Sequence, residues 1–170
     1  DVIRLRRGDE WRETITLDEG GTAGNPITIT GYGLGAKPII NGSKVVTAWT
    51  LYSGSIYYHK CPSGPRVVVE NGDVLTYRAF DTNVATTFSG ATAGTFSYNV
   101  DTAFVWATDG ADPDTHTMEV AYTAGQYTDS SSGVYFADLS YITIDGIEVR
   151  NTPYHGIRGV YNDAGSDILI

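Results

Sequence analysis

The tract TPYHGIRG, Thr152 to Gly159, brings Tyr154, His155 and Arg158 close together. An imidazole that titrates near neutral pH suits a general base, and a guanidinium suits the clamping of a carboxylate, so these three are the first candidates for catalysis. The same residues also read as a polar corner between two strands, which is the commoner use of such a tract. A second tract, DGADPD, sets Asp109, Asp112 and Asp114 just ahead of His116. Carboxylates at this density are candidate ligands for Ca²⁺. Their spacing is not that of an EF-hand loop, which needs acidic ligands at alternate positions and a later Glu, and a proline-containing surface turn is the competing reading.

Other chemistries lack their residues. No Ser/His/Asp order with a nucleophile elbow is present, and GYGLG, Gly31 to Gly35, precedes no helix that could receive a phosphate. One cysteine, Cys61, and three scattered histidines cannot close a structural zinc site or an internal disulfide.

The candidates need a scaffold, and composition limits it. The chain has 170 residues, 41% hydrophobic and 12% aromatic, enough for one domain with a core or for one domain carrying a large insertion. Twenty Gly and 12 Tyr against a single Met, with 18% charged residues, favour turns and strands over helices. An all-β fold is the expectation. Eleven Lys and Arg against 20 Asp and Glu leave a net charge of -9, which repels phosphate backbones and anionic lipid, so nucleic acid is a poor partner. No run approaches the roughly 18 apolar residues of a membrane span, and the N-terminus lacks a signal-peptide pattern. The sequence opens at DVIRL and closes at SDILI, both mid-pattern, and reads as a segment of a longer protein.

Organisation comes from a repeat. GVYFADLSYITI, Gly133 to Ile144, lies over GVYNDAGSDILI, Gly159 to Ile170, at an offset of 26 residues, with six of twelve positions identical. The matches are Gly133/Gly159, Val134/Val160, Tyr135/Tyr161, Ser140/Ser166, Ile142/Ile168 and Ile144/Ile170. A period of this length built from short strands fits a β-solenoid, in which each turn of chain stacks on the one before. The same grammar runs through VIRLRR, RETITL, NPITITGYG and KPIINGS near the N-terminus. Alternation would send Ile27, Ile29, Ile142 and Ile144 inward and Thr28 and Thr143 outward. Asn41-Gly42 and Asp145-Gly146 mark corners of the coil, or close two-residue hairpins.

Between Val45 and Gly133 the period is lost. VVVENGDVLTYRA, Val67 to Ala79, reads as a hairpin with Asn71-Gly72 in a type I′ turn. TFSYNVDTAFVWA, Thr95 to Ala107, and HTMEVAY, His116 to Tyr122, read as further antiparallel strands. The expected division is residues 1–44 as the first coil, 45–132 as an inserted antiparallel β module and 133–170 as resumed coils. Trp49 and Trp106 are candidates for stacking on sugar rings if exposed, although burial is the commoner fate of tryptophan.

The N-terminal stretch DVIRLRRGDEWRETITLDEGGTAGNPITITGYGLGAKPIINGS and the later SYITIDGIEVRNTPYHGIRG together resemble right-handed parallel β-helix proteins with PbH1 repeats. That group includes bacterial polysaccharide lyases, glycoside hydrolases and phage tail spikes. A Gly-Thr-x-Gly-Asn-Pro-Ile corner of the family is matched by Gly21, Thr22, Gly24, Asn25, Pro26 and Ile27. The resemblance implies the N-terminal part of an extracellular or cell-surface carbohydrate-active enzyme, with a polysaccharide or surface glycan as partner. The alternative is a non-catalytic adhesive or structural solenoid, such as a surface fibre or tail-spike segment, whose open ends would favour self-association.

Family lyases place a Lys or Arg base and an acidic calcium cluster on later coils than those present, so no catalytic residue is carried over. A lyase must neutralise a uronate carboxylate, by Ca²⁺ or Arg, before a base can take the C5 proton. A glycosidase needs two carboxylates about 5 to 9.5 Å apart. Asp145, Glu148, Asp163 and Asp167 are available for that pair, and also read as solubilising surface groups.

Overall fold

A computed structural model describes residues 1–123, 131–160 and 168–170. The chain divides into two compact units, Asp1–Gly42 with Asp129–Ile170, and Ser43–Thr128. It is an all-β protein. The first unit opens with β1 (Val2–Arg6), β2 (Glu10–Trp11), β3 (Ile15–Leu17), β4 (Ile27–Tyr32) and β5 (Ile39–Asn41). The second holds β6 (Lys44–Val46), β7 (Thr50–Ser53), β8 (Ile56–Lys60), β9 (Pro65–Glu70), β10 (Asp73–Val74), β11 (Thr76–Tyr77), the helix α1 (Val84–Thr87), β12 (Thr95–Asn99), β13 (Thr102–Trp106) and β14 (Met118–Tyr122). The chain then re-enters the first unit with β15 (Ser132–Ala137), β16 (Ile142–Asp145), β17 (Glu148–Arg150), β18 (His155–Val160) and β19 (Ile168–Leu169).

Every ladder between the named strands of the first unit is parallel. The strands form three sheets, β1-β4-β16-β19, β2-β5-β17 and β3-β15-β18, and the chain visits these in turn before returning to the first. Consecutive strands therefore belong to different sheets, so Asn41-Gly42 and Asp145-Gly146 close no hairpin. In-register pairing builds two columns of isoleucine, Ile3/Ile29/Ile144 and Ile27/Ile142/Ile168. Ile29, Ile142 and Ile144 are buried, with Leu17, Val134 and Phe136 completing the core, while Thr28 and Thr143 are half-buried. Full burial of an aliphatic or aromatic side chain stabilises by about 1.5–3 kcal/mol, the scale on which Ile29, Ile142, Ile144, Val134 and Phe136 each contribute.

The repeat reads correctly on one sheet and not on another. Ile142 faces Ile168, 26 positions later, as expected. Val134, however, faces Ile157, 23 positions later, instead of Val160. Strands pair by which side chains they bury, and the corner between two strands absorbs the difference in length. Tyr161 and Ser166 of the repeat lie outside the described residues.

A polar clamp crosses the sheet of β2, β5 and β17. Glu10 accepts from Asn41 at 2.8 Å and pairs with Arg12 at 2.9 Å and Arg150 at 2.7 Å, so one carboxylate spans three layers. Partly exposed ion pairs contribute roughly 0–1 kcal/mol each, so the clamp fixes register more than it adds stability.

The second unit pairs two sheets, β10-β9-β14-β6 and β11-β12-β13-β8-β7. Trp49, Val68, Leu75, Phe96, Val105, Met118 and Val120 fill the core between them. The expected hairpin is present: Asn71 and Gly72 have φ of 53° and 94°, the two positive angles of a type I′ turn. It stops at Val74, because Leu75 turns into the core and Thr76 joins the other sheet. The expectation of a wholly antiparallel module is corrected at that edge, where β11 pairs parallel with β12. Between Tyr77 and Thr95 the chain crosses over through α1 instead of turning back, and parallel pairing requires such a crossover. Asn83 starts the helix by accepting the Thr86 N–H in a reciprocal cap. Burial pushes the Cys61 thiol up to about 11, which keeps it protonated and inert.

Gly133 exposes how tightly the first unit is packed. A Cβ at this position would stand 2.2 Å from Val149 Cγ1 and 2.9 Å from the Gly156 carbonyl oxygen. Gly133→Ala should lower stability by about 1–3 kcal/mol, the range for overpacking, seen as a lower denaturant midpoint. In a Val149→Ala background the added cost should shrink, since the nearest obstacle is gone. Equal cost in both backgrounds would contradict the packing of β15 against β17.

Candidate functional site

The sequence candidates of the first unit do not converge. His155 and Arg158 lie three residues apart on β18, so strand alternation sends them to opposite faces. Arg158 stands opposite Tyr135, with its guanidinium carbon 5.9 Å from the ring centroid. His155 instead meets Tyr154, whose exposed ring stands edge-on to it at 4.6 Å. A base and a clamp on opposite faces of a strand cannot address one substrate group together. Of the candidate carboxylates, Asp145 ends β16, and Glu148 lies 3.8 Å from Arg150. Asp163 and Asp167 lie outside the described residues. A cavity of about 490 Å³ borders Asp145 and Lys37, but most of its wall is aliphatic, including Ile144, Ile147, Val149 and Ile157.

The acidic tract of the second unit folds as a turn. Asp112 accepts the Asp114 N–H at 3.0 Å and so caps a 3-10 turn over Pro113–Thr115. Asp114 in turn accepts the Trp49 N–H at 3.0 Å. Asp109 is the member of the tract that meets His116, with Oδ1 3.2 Å from Nε2. A third partner, missed in the sequence, is Glu70 at the end of β9, whose Oε1 lies 3.5 Å from the same nitrogen. Glu70 is 3% exposed, and its carboxylate also accepts the Thr108 N–H at 2.9 Å and the Thr108 hydroxyl at 2.8 Å. The Ala111 N–H first, and His116 after it, hold the Asp109 carboxyl below the usual carboxylate range.

One atom each from Glu70, Asp109 and His116 lie within 4.8 Å of one another, so these are the residues that would hold a divalent cation. The far side of the imidazole argues against one. The Thr117 N–H donates to Asn71 Oδ1 at 3.0 Å, which turns Asn71 Nδ2 toward His116 Nδ1 at 3.2 Å. An amide N–H can only donate, so Nδ1 accepts, and the proton of the neutral ring sits on Nε2, aimed at the two carboxylates. A cation at Nε2 would have to displace that proton and leave the ring with no N–H, or pull Asn71 away from Thr117. The donors fit a hydrogen-bonded clamp better than a metal ion.

Trp49 and Trp106 carry no open platform. Trp49 is 6% exposed, sits in the core and tilts against His59 at 5.4 Å; burial there holds the His59 imidazole below its ordinary value. Trp106 is partly buried against Val84, Phe88 and Phe104. Large rings stabilise most where their area is covered, which is why the core takes both.

The exposed aromatic surface is tyrosine. Tyr77, 50% exposed on β11, stacks on Tyr98 of β12 with centroids 5.4 Å apart and planes 27° apart, and also leans on Phe96. Arg66 of β9 lies 5.2 Å from the Tyr98 ring centre and donates to its hydroxyl at 2.5 Å. This group has no signature along the sequence, because its members come from three strands in two sheets, and an abundance of tyrosine does not say which ones meet.

No protein-family model matches the chain, and no curated protein sequence matches it. Solved structures do. A protein called XylC, in complex with xylose, matches with a TM-score of 0.62 at 19% identity, over 90% of this chain and 31% of its own. A second, described as a glycoside hydrolase, matches with a TM-score of 0.57 at 10% identity, over 90% of this chain and 43% of its own. At these identities the likeness is one of fold, and the chain spans less than half the length of either protein.

The clamp around His116 makes a specific prediction. Millimolar calcium or zinc should leave the Tm of the native chain unchanged. Asn71→Asp, which keeps a turn-compatible Asp-Gly pair, gives Nδ1 an acceptor and frees Nε2, so zinc should then raise Tm. A Tm rise with zinc in the native chain would overturn the assignment of the proton to Nε2.

Proposed function

We propose that the first unit is a stretch of right-handed parallel β-helix, and that the chain forms part of an extracellular protein acting on polysaccharide, of the glycoside hydrolase kind. The observation that carries this reading is the order in which the chain uses its sheets. A chain that returns to the same three sheets in the same sequence, always in parallel register, winds as a coil. Support for the sugar comes from the matching structures, one holding xylose and one described as a glycoside hydrolase. A stacked coil also has the right form for the task, since it presents a long ridged surface along which an extended polymer can lie. The net charge of -9 agrees with a partner that is not a polyphosphate. Cleavage needs two carboxylates about 5 to 9.5 Å apart, and the reading leaves these unassigned.

Affinity electrophoresis through gels cast with xylan, pectin or alginate, combined with an assay for released ends, tests the proposal. Retardation with new reducing ends supports a hydrolase. Unsaturated ends would replace it with a lyase, and retardation without product with an adhesive module. Free migration in every gel, with no product, would overturn the carbohydrate reading.

A further inference from the structure

We propose that the Arg66–Tyr98–Tyr77 stack is a binding subsite for an anionic sugar, with the pyranose on the open side of Tyr77 and its carboxylate or sulfate against Arg66. The inference rests on the carbohydrate reading and adds to it a place and a charge.

The placement of Tyr77 is the first argument. Tyr77 lies on a two-residue edge strand and is half exposed, as Tyr32, Tyr52 and Tyr154 are, and two aromatic rings, Tyr98 and Phe96, support it. Such backing holds the ring in one orientation before any ligand arrives, so stacking a sugar on it orders little. Burial first, and the hydrogen bond to Tyr98 second, raise the Tyr77 phenol above its ordinary value, so the ring stays neutral.

The state of Arg66 is the second argument. Lys60, Arg12 and Arg150 each pair with a carboxylate. Arg66 does not: among the described residues no carboxylate pairs with it, as none pairs with Arg7 or Arg78, but those two bond the carbonyl oxygens of Gly35 and Ser89 while the contacts of Arg66 are the Tyr98 hydroxyl and ring. In a chain of net charge -9, a cation held by a phenol and left without an acid is poised for an external anion. The bond to Tyr98 uses one donor and steers the planar fork, whose remaining N–H groups suit the paired oxygens of a carboxylate or sulfate. A neutral sugar would gain the ring contact alone.

Calorimetric titration of the chain with oligogalacturonate, a sulfated dextran oligosaccharide and a neutral xylo-oligosaccharide tests this, and the first two arms separate carboxylate from sulfate. At least one acidic ligand should bind about ten-fold or more tighter than the neutral one, the effect of a single charge-assisted contact. That advantage should fade with added salt. Arg66→Gln should bring the acidic ligand down to the neutral level, Tyr77→Ala should weaken both, and Tyr77→Phe should retain both. Arg66 is exposed, and melting curves of each variant would exclude loss of fold as the cause. Equal affinity for acidic and neutral ligands, or binding untouched by Arg66→Gln and Tyr77→Ala, would overturn the subsite while leaving the carbohydrate reading standing. No binding to any glycan would overturn both.

Discussion

Parallel pairing in register is the constraint on which the first unit depends. It sets like residues over like, so an inward isoleucine in one layer lies against an inward isoleucine in the next, as in Ile27, Ile142 and Ile168. Buried area then accumulates with every layer, and directional bonds are needed only at the sides. A slip of one residue would turn Thr28 and Thr143 inward and expose the isoleucines, which is why the register is well determined. The Glu10 clamp acts on the same variable, since its partners Asn41 and Arg150 align only when β2, β5 and β17 are correctly stacked.

In the second unit the order is different. Two sheets bury a mixed aromatic and aliphatic core, and two carboxylates, Glu70 and Glu119, are buried in the same unit. Burial of Glu70 is tolerated because Thr108 and His116 satisfy its oxygens, and removing either would leave part of a buried carboxylate unpaired. The clamp fixes the end of β9, the strand that also carries Arg66.

Much of this was legible in the sequence, and the remainder follows a pattern. Alternation in ITIT and YITID revealed the inward isoleucines, and Asn71-Gly72 revealed its turn, because both signals are local. The offset of the repeat was legible at Ile142 and Ile168 but not at Val134, since corner lengths vary and only three-dimensional pairing shows where a strand begins. The sites were much less legible. Asp112 and Asp114 look like ligands in a row of carboxylates, but backbone N–H groups of the turn and of Trp49 occupy them. Glu70 and the partners of Tyr77 come from distant strands, and no spacing along the chain encodes their meeting.

The stacking of layers can be tested directly by cross-linking. Thr28 and Thr143 are paired across β4 and β16 on a half-buried face, and neighbouring Cα atoms in such a ladder lie within the roughly 4.4–6.8 Å that a disulfide allows. With both changed to cysteine, mild oxidation should give an intramolecular bridge in the folded monomer, while Cys61, protonated and buried, stays apart. The out-of-register pair Thr28→Cys with Asp145→Cys should bridge far more slowly. Bridging of the second pair in preference to the first, or of neither, would contradict the in-register parallel pairing of β4 with β16.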